Sequence, residues 1–149
     1  MEVIDDNEQE RQRPLGMILL GVMYLFFFLL TVSTFGYPIP FFGVIYQGRT
    51  AEALVFIDSL VCLYLFLGLV KRQNLTWYFL LCYNAFELVN SLANQFFITP
   101  VELEKAVGEK VDPQGVLATN ISVIIAILLL SGFIFRHREY FSNRSKYLF

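Results

Sequence analysis

Four stretches of this chain, at residues 14–35, 51–70, 75–98 and 115–135, run without a single Lys or Arg. Each is close to the roughly 20 apolar residues that a helix needs to cross a hydrocarbon core about 30 Å thick. A soluble helical bundle shows polar faces at helical spacing, whereas residues 19–30, broken only by Gly21 and Tyr24, show none. The apolar share of 56% also exceeds the roughly 45–50% of soluble domains. The expected fold is all-α: a four-helix transmembrane bundle forming one domain over residues 1–149.

The first stretch is longer than the roughly 7–15 residues of a signal-peptide core, and an acidic leader precedes it, so it reads as a retained span. Orientation follows from Lys and Arg. Arg11, Arg13, Lys71, Arg72, Arg136, Arg138, Arg144 and Lys146 fall on one side of four crossings. Only Arg49, Lys105 and Lys110 fall on the other. The chain is therefore expected in the cell (cytoplasmic) membrane as a multi-pass protein with both termini cytoplasmic.

The connections carry local signals. Thr99-Pro100-Val101-Glu102 is a capping box with Pro at the first helical position, and Gly108 marks a stop. A short extracytoplasmic surface helix is expected over 100–107. Asp112 is expected to cap the fourth span and Asn74 the third. Asn74-Leu75-Thr76 is also formally a glycosylation sequon, but it lies on the side assigned to the cytoplasm. Residues 37–47, rich in aromatics and Pro, are expected at the interface or folded back over the bundle.

The third stretch is the informative one. At helical spacing Tyr83, Asn84, Glu87, Asn90, Ser91 and Asn94 fall within about 60° of Glu87. Unsatisfied polar groups in hydrocarbon cost several kcal/mol each, so this stripe must face other helices or a hydrated cavity. Counting the helical rise, Glu87 and Asp58 lie roughly 18–20 Å from the inner end, and Thr31, Asn120 and Ser122 roughly 21–25 Å. That spacing predicts one polar layer shared by four helices. No Lys, Arg or His lies inside any span. Desolvation and mutual repulsion then oppose a second negative charge, and the Asp58–Glu87 pair is expected to hold at least one proton near pH 7. The candidate ligand- or proton-binding residues are Asp58, Glu87, Asn84, Asn90, Asn94 and Asn120.

Other chemistry is sparse. Cys62 and Cys82 share a depth, but Cys82 lies about 140° around its helix from Glu87, so two free thiols are expected rather than a disulfide. His137 cannot form a two-histidine metal or haem site and is expected at lipid headgroups beside Arg136 and Arg138. Ala118, Ser122 and Ala126 form a small-xxx-small row suited to close helix approach. Nucleophile turns, phosphate-cradling glycine loops and the GxGD context of intramembrane proteases are missing. The chain therefore reads as no enzyme, with no catalytic residues, metal or cofactor. A formal net charge of −2 gives no basic field to draw nucleic acid.

Arg13-Pro14-Leu15-Gly16 at the first span, Arg138-Glu139-Tyr140-Phe141 after the last, and the Lys71-Arg72 turn before Trp77 resemble uncharacterised small four-helix prokaryotic integral membrane proteins. That resemblance implies a four-helix bundle in a prokaryotic cytoplasmic membrane and carries no activity. Small multidrug exporters also have four helices, but their essential Glu is on the first, where this chain has none. The functional expectation is an accessory or interaction subunit whose polar layer fixes helix packing. Its partners would be the lipid bilayer and either further copies of itself or a larger membrane complex. The alternative is a proton-linked carrier or binding protein for a small cationic or lipid-like ligand, using Asp58 and Glu87.

Overall fold

The computed structural model describes residues 15–144. In chain order it contains α1 (Leu15–Ser33), β1 (Ile39–Phe41), β2 (Val44–Tyr46), α2 (Gly48–Val70), α3 (Asn74–Phe97), α4 (Pro100–Val107) and α5 (Pro113–Arg136), then a 3-10 turn at Arg138–Tyr140. The long helices lie over the four apolar stretches. Three of them, α1, α2 and α5, are long and apolar enough to cross a membrane. Helix α3 has 24 residues, about 36 Å at the helical rise, but its polar stripe dilutes its apolar character. The acidic leader, Arg11, Arg13, Pro14 and Lys146 lie outside the described residues.

Helix α1 packs along α2, α3 along α5, and α2 meets α3 beside their shared turn. At that end the backbones come close. A Cβ on Gly68 would overlap the Thr76 side chain, and one on Gly16 would stand 2.7 Å from the Phe133 ring. The apolar core collects there, around Met17, Leu20, Leu65, Leu69, Leu80 and Ile134.

The segment after α5 folds onto the α2–α3 turn. The Asn143 N–H donates to the Arg72 carbonyl at 3.1 Å, and the Asn143 carbonyl accepts from the Asn74 N–H at 2.8 Å. This corrects the expected cap of the third long helix. Gln73 occupies the N-cap position without a side-chain cap bond, and a distant backbone carbonyl satisfies the Asn74 amide, one of the amides at a helix start that have no partner within the helix. At the opposite end the local signals hold. Thr99 and Glu102 form the reciprocal capping box and Gly108 adopts the left-handed cap at φ 79°, while Asp112 accepts from the Gln114 and Gly115 amides.

A two-stranded hairpin departs from the all-α expectation. Residues 37–47 fold back over α3 as β1 and β2, paired Ile39 to Tyr46 and Phe41 to Val44. Phe42 and Gly43 both have positive φ, 46° and 78°, as a type I′ turn requires. Pro40 stands opposite Ile45, the position next to the closing pair where an antiparallel ladder needs no N–H.

Candidate functional site

The stripe on α3 divides its work among three sets of partners. Nearest the turn end, Asn84 links three helices. Its Oδ1 accepts from the Tyr24 hydroxyl of α1 at 2.7 Å, and its Nδ2 donates to Ser131 Oγ of α5 at 3.2 Å. Tyr24 is fully buried and Asn84 nearly so. The amide suits this position because it accepts on one side and donates on the other, which neither a carboxylate nor an apolar side chain can do.

At the neighbouring position of α3, Tyr83 meets Asp58 of α2. The Tyr83 hydroxyl donates to its Oδ1 at 2.8 Å and Thr31 Oγ1 of α1 donates to its Oδ2 at 3.2 Å. Tyr83 Oη also lies 3.3 Å from the Cys62 sulfur. Since Tyr83 has one proton and gives it to Asp58, the thiol is the donor in that contact. Asp58 thus ties α1, α2 and α3 together through hydroxyl donors.

The third set reaches the hairpin. Asn90 Oδ1 accepts the Phe42 N–H at 2.9 Å and Asn94 Oδ1 accepts the Gly43 N–H at 2.8 Å. Asn90 Nδ2 donates to Glu87 Oε2 at 3.3 Å. Both amides at the tip of the hairpin, left unpaired by the turn itself, are therefore satisfied by side chains one helical turn apart on α3. The rings of Phe41 and Phe42 close over Phe86 at 5.9 and 5.3 Å.

Asn84, Glu87, Asn90 and Asn94 all belong to this network, and Asp58 faces it from α2. Glu87 lies within electrostatic range of Asp58, yet no hydrogen bond joins the two carboxyls among the described residues. The single polar layer is not what forms. Asn120 donates to Gln95 Oε1 at 2.7 Å, away from the carboxyls, and Ser122 bonds back to the Ala118 carbonyl of its own helix. The helical rise gives height alone; rotation about the helix axis decides which groups meet. Sequence reasoning missed Tyr24 and Ser131 as partners, and each is a lone polar residue in an apolar run, where periodicity gives no signal.

No family model, curated protein or solved structure matches the chain. Chemistry must be read from the residues alone. Among the described residues no group of three His, Cys, Asp or Glu is placed to hold a metal ion. Cys62 and Cys82 are both free, the first buried and the second exposed. His137 stacks on Phe133 at 4.1 Å between ring centroids. A groove of about 390 Å³ lies at the hairpin end, between Val44, Ile45, Ile98 and Lys105, and none of the candidate site residues lines it. The arrangement around α3 joins helices to one another and anchors a hairpin.

Proposed function

We propose that the chain is a non-enzymatic four-pass membrane protein, an accessory or interaction subunit whose intramembrane polar network holds its helices and outer hairpin in one register. The observation that carries this reading is the pairing of the α3 stripe. Its amides meet Tyr24, Ser131 and the hairpin backbone, and among the described residues no buried side-chain polar atom lacks a partner. Helix α3 belongs with the crossing helices because it runs their full height. One end bonds the segment after α5 and the other carries the hairpin that joins α1 to α2. The hairpin and α4 then lie outside the cell membrane and both termini lie in the cytoplasm.

A lateral partner is supported by α5. Only 6% of its most apolar window is buried within the chain, against 33% for α2. Its small row, Ala118, Ser122 and Ala126, is exposed. The test is purification of tagged protein in mild detergent with its mass read by light scattering. A second copy or a stoichiometric partner supports the reading; a lone monomer with nothing co-purifying overturns the subunit assignment.

One observation favours a second reading, a proton-linked carrier or binding protein for a small cationic or lipid-like ligand. Asp58 is held by hydroxyl donors, and among the described residues no Lys, Arg or His pairs with it or with Glu87. Carboxyls so placed are able to exchange a proton or receive a cation. Proton flux or ligand binding that survives the Asp58→Asn, Glu87→Gln double substitution unchanged rules this reading out.

A further inference from the structure

The turn end of the molecule holds a cation on an aromatic platform, and among the described residues no carboxylate pairs with it. The Arg138 guanidinium sits 4.8 Å from the Trp77 ring centroid and 5.9 Å from that of Tyr78. One Arg138 nitrogen donates to the Tyr78 hydroxyl at 3.2 Å. Trp77 is itself fixed, its indole N–H donating to the Ile134 carbonyl at 3.0 Å. A side chain that samples many rotamers is thereby held in one place. A guanidinium has five N–H donors, and one is used on Tyr78, so a fork remains for a bidentate acceptor. Glu139 is the adjacent residue, yet no ion pair joins it to Arg138 among the described residues. Beside the cation, Phe135 is 66% exposed and Tyr78 47%, an apolar wall rising toward the middle of α5 and α3. Over residues 71–74 and 136–144 there are five Lys or Arg and one carboxylate.

We infer that Arg138, with Trp77 and Tyr78, forms a binding site for the phosphate of an anionic phospholipid, with Phe135 against the first acyl carbons. A phosphodiester presents two oxygens to the guanidinium fork, as carboxylate partners do. The aromatic rings sit where Trp and Tyr gather in membrane proteins, at headgroup level. A free phosphate would satisfy the cation but leave the apolar wall unused, which is why the lipid is assigned. Among the described residues of this end the excess of positive charge favours an anionic headgroup over a zwitterionic one.

This site rests on the membrane reading, and the experiment separates the two. Membranes are first washed with alkaline carbonate; release of the chain overturns the membrane reading itself. The retained protein is then purified and titrated with phosphatidylglycerol or phosphatidylcholine of the same acyl chains, with lipid adducts counted by native mass spectrometry. The expected result is preferential retention of phosphatidylglycerol, reduced roughly five-fold by Arg138→Gln, the loss of one charge contact, and unchanged by Arg49→Gln. Equal retention by wild type and Arg138→Gln overturns the site, as does equal loss in both variants, which reports net charge alone. Thermal protection by inorganic phosphate that matches that of the lipid and vanishes in Arg138→Gln overturns the lipid as the ligand.

Discussion

At the residue scale the network turns on groups with two-sided hydrogen bonding. Asn84 accepts from Tyr24 and donates to Ser131, so its loss leaves a buried phenol without an acceptor. Hydrogen bonds between membrane helices average about 0.6 kcal/mol and reach about 1.7, while stranding a buried polar group costs roughly 1–3 kcal/mol. Asn84→Ala should therefore destabilise the fold by about 1–2 kcal/mol in reversible unfolding from mixed micelles. Adding Tyr24→Phe should recover part of that loss; strictly additive effects would show that the two side chains act independently. Glu102 makes the opposite kind of contact, on the surface. The Thr99 backbone N–H and hydroxyl both donate to its carboxylate and hold it below the ordinary glutamate pKa. A lowered folded-state pKa stabilises above the unfolded value and is lost as pH falls through the folded one. Helix α4 should accordingly fray on acidification, seen as lower amide-exchange protection at residues 102–107, relative to the intrinsic rate at each pH, once pH falls below the ordinary glutamate value of about 4.3, and Glu102→Gln should remove that dependence.

At the element scale the hairpin decides most. Gly43 carries two constraints, a φ of 78° and a ring against it: a Cβ there would stand 2.6 Å from Phe97 Cβ. Gly36 has a φ of 88° with open space around it. Gly36→Ala should cost about 1–2 kcal/mol, the left-handed penalty alone. Gly43→Ala should exceed it and undock the hairpin, which protease cleavage within residues 39–46 would report; equal effects at both sites would mean that contact with Phe97 is unimportant. The helices and α4 were legible from the sequence because apolar length and capping boxes are local signals. The hairpin was not, although Phe42-Gly43 sits between runs of aromatic and β-branched residues, the pattern of a tight turn. An overall apolar character masked it. The span of α3 was legible to within a residue, but its cap was not, since the Asn74 amide finds its acceptor on Asn143, distant in sequence.

At the scale of the whole molecule three different forces act in sequence along one axis. Arg72 lies over the Tyr140 ring at 4.6 Å and Trp77 bonds Ile134 at the turn end, an apolar core follows, and amides and carboxyls then carry the fold up to the hairpin. The candidate stripe was legible because it is periodic on one helix, whereas its partners were not, since rotation and tilt of four helices are set only by packing. Helix α3 joins this stack along its length, and its polar stripe is why composition alone selects only α1, α2 and α5 as spans. Whether α3 crosses can be decided by accessibility. With Cys62 and Cys82 replaced by Ala, single cysteines at Lys71, Lys110 and Arg144 would be exposed to a membrane-impermeant maleimide on intact cells. All three positions are exposed, so labelling depends on the side of the membrane and not on burial. Four crossings require Lys110→Cys to label from outside and Lys71→Cys and Arg144→Cys only after lysis. If α3 does not cross, Lys71→Cys and Lys110→Cys share a side and must label alike, and that single result would break the four-pass arrangement.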